Sequence, residues 1–184
     1  MRKIFTTITI LMLTLSFSFA QTRQDAAPYD NGVGATVGFI NGFTFKTFPT
    51  NNFGLQLDLG YRFMWDYMHN YVPTILTFNP NFMYEGSAKN GFYWFIGGGL
   101  NFGGAFPKYY YYSNLDHRYM GHRGYFVFGV NVIGGAEYKF ANIPLALQVD
   151  ARPGFFLFAN NKANNSPYIL FDYNFINITA RYTF

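Results

Sequence analysis

Residues 176–184 alternate without exception. Ile176, Ile178, Ala180, Tyr182 and Phe184 are apolar or aromatic, and Asn177, Thr179, Arg181 and Thr183 between them are polar. A strand sends successive side chains to opposite faces, so this segment has one greasy face and one wet face. An ordinary half-buried strand would satisfy that pattern. How often it recurs, and which face the charges take, decides what the chain can fold into.

The pattern recurs eight times, with turn signals between. Expected strands cover 33–40, 43–48, 53–65, 74–84, 91–104, 125–140, 144–158 and 168–184. Asn41-Gly42 is a two-residue hairpin signal between the first two. Pro49 to Asn52 is the next turn, 85–90 another, and Ala141-Asn142 a third. Residues 66–72, 105–123 and 159–167 form longer loops. Pro80 cannot donate to a ladder, so a bulge or a gap in pairing is expected there. The run Gly97-Gly98-Gly99 is read as making room for a bulky neighbour across the interior. An even number of hairpin-linked strands and no helix predict an all-β, eight-stranded antiparallel up-and-down barrel, transmembrane in setting, over residues 32–184.

The charges fix the facing. A basic side chain on a lipid face at mid-membrane costs about 2–4 kcal/mol. In the seventh segment Leu145, Leu147, Val149, Ala151, Pro153, Phe155 and Leu157 share one face, opposite Gln148, Asp150 and Arg152. Only the first face can meet lipid. The same rule turns Lys46, Asp58, Arg62, Glu137, Lys139, Asp150, Arg152 and Arg181 inward. A polar interior with an apolar exterior is the reverse of a soluble lipid-carrying barrel.

Composition agrees. Aromatics reach 23% and charged residues only 12%, against about 25% charged in soluble domains. Met1-Arg2-Lys3, an apolar run to Phe19 and the small-x-small site Ser18-Phe19-Ala20 predict a secretory signal peptide over 1–20. Residues 21–31, polar and Pro-containing, read as a flexible periplasmic leader. With no cysteine there is no disulfide framework and no lipoprotein processing. The weak positive charge is scattered and does not point to nucleic acid.

Together the signal peptide, the eight alternating segments, the aromatic strand edges (Trp65, Tyr84, Trp94, Tyr182) and the ending Ala180-Arg181-Tyr182-Thr183-Phe184 resemble the small eight-stranded outer-membrane barrels of the OmpX and OmpA-transmembrane type. The resemblance implies a bacterial outer-membrane location. It also implies contact with outer-membrane lipid and lipopolysaccharide, and recognition of Ile178, Ala180, Tyr182 and Phe184 by the barrel-insertion machinery.

An eight-stranded barrel is just wide enough to be filled by its own side chains. The inward charges are therefore expected to form a plug near the periplasmic end, with a gated pore or proton path as the alternative. Phe156, Phe158, Phe171, Tyr173 and Phe175 are expected to point inward in the outer half, beside Gly129 and Asn131, either as filling or as a small apolar pocket. In the 105–123 loop Tyr109, Tyr110, Tyr111, Tyr112, His117 and Arg118 are candidates for recognising an extracellular ligand. An interfacial aromatic belt is the competing reading. Asp116, His117 and His122 match no strong metal spacing. Ser87, Ser113 and Ser166 lack a strand-held histidine partner, so no catalytic residue, cofactor or metal is expected. A lipid A-modifying hydrolase or acyltransferase is the enzymatic alternative.

Overall fold

Pairing between neighbours turns the alternating segments into one closed sheet. The computed structural model describes residues 27–63, 74–106, 125–159 and 167–184. They hold ten strands: β1 (Asn31–Gly38), β2 (Ile40–Thr47), β3 (Phe53–Phe63), β4 (Thr74–Lys89), β5 (Phe92–Phe106), β6 (Tyr125–Lys139), β7 (Leu145–Ala151), β8 (Gly154–Ala159), β9 (Tyr168–Asp172) and β10 (Asn177–Thr183). β7 and β8 are two halves of one stave, as are β9 and β10, so the barrel has eight staves. Every pairing is antiparallel, β5 pairs with β6, and β10 closes the circle against β1. The fold is a closed eight-stranded antiparallel β-barrel. Closure leaves no edge on which so many apolar strands could aggregate.

The last residue takes part in the closure. The Phe184 N–H donates to the Asn31 carbonyl at 2.8 Å, and the Asn31 N–H donates to the Phe184 carbonyl at 2.8 Å. Outward positions are apolar all round: Phe43, Leu59, Phe78, Phe82, Ile96, Val132, Val149 and Ile178 are exposed. Inward positions carry the buried polar and charged side chains, interspersed with buried apolar ones such as Ile75, Met83, Phe95, Ile133 and Phe156.

Two turns differ from the sequence expectation. The first lies at Phe39, not at Asn41-Gly42, which pair within β2 opposite Tyr61 and Gly60. Gly38 supplies the turn with φ +143°. The Asn41 amide closes it, donating to the Gly38 carbonyl at 2.9 Å and accepting from its N–H at 3.3 Å. Gly42 serves packing instead, since a Cβ there would lie 2.3 Å from the Leu59 carbonyl oxygen. The second difference is the 85–90 turn. Only Asn90 and Gly91 turn, with φ of 52° and 85°, the left-handed pair of a tight hairpin. β4 therefore runs on through Glu85.

Pro80 leaves a local gap. The β4–β5 ladder is paired at Phe78↔Phe102 and resumes at Asn81↔Gly99 with the register unchanged. The glycine run opposite serves neighbouring staves, not residues across the interior. Gly97 pairs with Met83, and a Cβ on Gly99 would sit 2.1 Å from the Asn81 Oδ1.

The largest departure is in the last stave. Between Asp150↔Asn177 and Gly154↔Asp172 one stave spends three residues and the other four. The extra residue is a β-bulge, and it puts the successive residues Phe175 and Ile176 both outward, 52% and 60% exposed. Upstream of the bulge the parity is reversed. Phe171, Tyr173 and Phe175 therefore face out, contrary to the sequence expectation, and Asp172 and Asn174 face in. Phe156 and Phe158 do point inward.

Candidate functional site in the barrel interior

Inward alternation on eight staves concentrates polar side chains in a narrow space. Lys46, Asp58, Arg62, Glu85, Glu137, Asp150, Arg152, Asp172 and Arg181 are all buried there. Buried charge is tolerated only when paired and hydrogen-bonded, and the interior divides into three ion-pair groups.

The group nearest the termini holds two cations and two carboxylates. Lys46 Nζ lies 2.7 Å from Glu85 Oε2 and 3.0 Å from Glu137 Oε2. Arg181 Nη1 lies 2.8 Å from the same Glu137 oxygen, and its Nη2 donates to the Thr44 hydroxyl at 3.3 Å. Glu85, expected in the 85–90 turn and not among the inward charges, lies instead within β4. The signal was present: the Asn90-Gly91 hairpin keeps residue 85 in the strand, on the inward parity of Asn79, Asn81 and Met83.

The central group is one guanidinium between two carboxylates. Arg152 Nη1 donates to Asp58 Oδ2 at 2.5 Å and its Nε to Asp150 Oδ1 at 2.6 Å. Amides saturate the remaining acceptors. Gln56 and Asn81 donate to Asp58, and Gln148 and Asn177 donate to Asp150 at 2.6 and 3.0 Å. Gln56 and Gln148 reach their carboxylates easily because each stands two residues away on the same inward face.

The third group is the Arg62–Asp172 ion pair, buried on both sides. The Arg62 guanidinium also lies over the Phe156 ring, 4.7 Å from its centroid, a cation–π contact in a dry setting.

Hydrogen bonds join the first two groups. Arg181 donates to Gln148 at 2.7 Å, Gln148 to Gln56 at 3.3 Å, and Gln56 to Asp58. From Asp58 the path continues through Asn81 to Asn131 and Asn101. One network thus ties together every stave but the first, which contributes the separate Thr36–Thr179 hydroxyl pair at 2.8 Å.

Apolar clusters flank the network. Toward the far end Ile75, Ala105, Tyr125, Val127, Phe156 and Phe158 pack with Tyr168 and Leu170. These side chains fill that end of the interior. At the terminal end Tyr29, Phe48 and Ala146 pack with Ala27. The end of the expected leader is therefore folded in: Tyr29 is buried, and burial pushes its hydroxyl pKa well above the ordinary value.

Lys139 does not join the charged groups. It is half-buried at the rim and donates to the turn carbonyls of Phe140 and Ile143 at 2.6 and 3.0 Å. Its strand ends there, so its chain bends to cap the turn. Ile178, Tyr182 and Phe184 are outward and more than half exposed, with Ala180 between them. Ser87 is exposed near the β4–β5 hairpin. Tyr109, Tyr110, Tyr111, Tyr112, His117 and Arg118 lie outside the described residues, as do residues 1–20, Trp65, His69, Asp116, His122, Ser113 and Ser166. Among the described residues no group of three His, Cys, Asp or Glu side chains is arranged to hold a metal. Comparison of the chain with protein-family models, with curated proteins and with solved structures finds no match.

Proposed function

We propose that this chain is a small integral protein of a bacterial outer membrane, with a structural or surface-binding role exerted through its extracellular loops. Its lumen is closed by the ionic network. One observation carries the reading. Lys46, Asp58, Arg62, Glu85, Glu137, Asp150, Asp172 and Arg181, charged residues of the strands, are all buried in the interior, and Lys139 is half-buried beside a turn at the terminal end. A wall of exposed Phe, Leu, Ile and Val surrounds them. In water such a wall would far exceed the few hundred Å² of contiguous apolar patch usual on a soluble monomer. In lipid it is the required surface. Aromatic side chains mark the ends of the wall, as an interfacial girdle does: Phe53, Tyr84, Trp94 and Tyr182 at one end, Phe171 and Tyr173 at the other.

On this reading the short turns face the periplasm and the long connections face outward. The outward face of Ile178, Ala180, Tyr182 and Phe184 is what the insertion machinery takes hold of. The partners are outer-membrane lipid and lipopolysaccharide, with a ligand of the 105–123 loop outside. Membrane fractionation tests the location. The protein should sediment with the outer membrane and migrate differently on gels when unheated and heated. Recovery from the periplasm as a soluble protein would refute the reading. Deletion of residues 107–122 should abolish surface binding while leaving the heat-modifiable band intact.

A further inference from the structure

The first hairpin is shorter than the staves beside it. β1 and β2 turn at Phe39, the β1–β10 ladder stops at Gly38↔Asn177, and the β2–β3 ladder stops at Ile40↔Arg62. A backbone hydrogen bond at that level runs from the Phe39 N–H to the Ile176 carbonyl, 3.4 Å. The flanking staves continue past it. On one side β3 and β4 pair on to Phe63↔Thr74. On the other β9 runs from Asp172 back to Tyr168, paired with β8 and standing last in the order of the sheet. Among the described residues no strand pairs with its other edge. Closure therefore runs through β1 and β10, and above their turn the wall has a side slot. The turn is its sill, and β9 and the end of β3 are its sides.

Side-chain exposure marks the same opening. Phe156 and Phe158 of β8 are 0% and 1% exposed. Their partners across the ladder, Leu170 and Tyr168, pack on the same interior cluster at the same heights, yet both are partly exposed. An open mouth would uncover both members of each pair, whereas an opening beside β9 uncovers β9 alone. Around the slot the outer surface is apolar wall, with Tyr61, Ile169 and Phe171 exposed. At the level of the sill the Arg62–Asp172 ion pair reaches from β3 to β9 and separates the slot from the ionic network.

We propose that an acyl chain of the surrounding lipid lies in this slot, against Leu170 and Tyr168 and above the Arg62–Asp172 pair. This occupant follows from the lipid setting proposed above, in which hydrocarbon bathes the wall on both sides of the slot. Leu170 and the Phe156 and Ile75 cluster behind it offer nothing to water and lose dispersion contacts wherever no atoms face them. The barrel thus takes hydrocarbon from the side while both of its ends stay filled.

The chain has no cysteine, so single introduced thiols can carry a bimane fluorophore. Leu170→Cys reports the slot, Phe158→Cys the closed interior and Ile169→Cys the outer wall. Each protein is folded into phosphatidylcholine vesicles with and without brominated acyl chains, which quench on contact, and iodide in the buffer reports water. Brominated lipid should quench Ile169→Cys strongly, Leu170→Cys at least about half as much, and Phe158→Cys by less than about a tenth of that. Iodide should quench Leu170→Cys no more than Phe158→Cys. Tyr168→Cys and Tyr125→Cys serve where Leu170→Cys or Phe158→Cys does not fold, with heat-modifiable migration selecting folded protein. Protection of Leu170→Cys from both quenchers, as a second copy of the chain seated there would give, overturns the acyl chain. Quenching by iodide instead of bromine overturns it too, because the access is then aqueous. An Ile169→Cys probe untouched by brominated lipid would refute the membrane setting itself, a separate failure.

Discussion

Asp172 meets Arg62 inside the barrel because one extra residue, inserted between Asp172 and Asn177, turns the upstream half of the last stave over. With unbroken alternation from Phe184, Asp172 would stand on the apolar outer face and Arg62 would lack its carboxylate. The bulge and the ion pair are thus one feature, and the pair shows why the irregularity is worth its lost ladder bonds.

Asp172→Asn should therefore destabilise the folded barrel by about 3–5 kcal/mol, the usual effect of leaving a buried partner charge uncompensated. Replacing both partners, Arg62→Met with Asp172→Leu, should restore most of that loss. Urea unfolding in lipid vesicles measures each arm. A purely additive double mutant would show that the two side chains are not coupled.

The central triad predicts an order of effects. Arg152→Met leaves Asp58 and Asp150 as unshielded like charges in the interior and should cost about 3–5 kcal/mol. Asp58→Asn should cost less, because Arg152 keeps Asp150 at 2.6 Å and the new amide can replace an acceptor. The comparison is one unfolding titration per variant, and a milder effect of Arg152→Met than of Asp58→Asn would contradict it.

Adjacent glycines should behave oppositely. A Cβ on Gly99 would fall 2.1 Å from the Asn81 Oδ1, and Asn81 is held by Asp58 and Asn131. Gly99→Ala should therefore cost about 1–3 kcal/mol, as overpacking does. Gly98 faces outward, and the nearest atom to its Cβ site is 3.5 Å away. Gly98→Ala should change stability by less than about 0.5 kcal/mol. Midpoints of vesicle unfolding decide between them.

The closed interior also predicts electrical silence. Purified protein in planar bilayers should give no stable nanosiemens-scale openings, because apolar clusters flank the ionic network at both ends. Sustained channels of that size would favour the pore over the plug.

The sequence by itself determined the eight-stave barrel and the side on which Lys46, Asp58, Arg62, Glu137, Asp150, Arg152 and Arg181 lie. Both follow from the two-residue period of a strand and from the high cost of charge on an apolar face, and both can be read locally. The same cost could have located the bulge, since an unbroken last strand strands Asp172 and Asn174 outside. The Asn90-Gly91 signal could likewise have returned Glu85 to its strand. Tertiary structure alone decided the rest. Which carboxylate meets which cation depends on the stagger between staves distant in sequence, as in Lys46 with Glu137 or Asp58 with Arg152. Asn41-Gly42 has the composition of a turn, yet the pairing of Gly42 with Gly60 claims it for a strand. Tyr29 reads as part of a polar leader, and only the closed ring gives it a mouth to fill. Alternation is set residue by residue, whereas pairing, bulges and seals are set by closure, which no single segment contains.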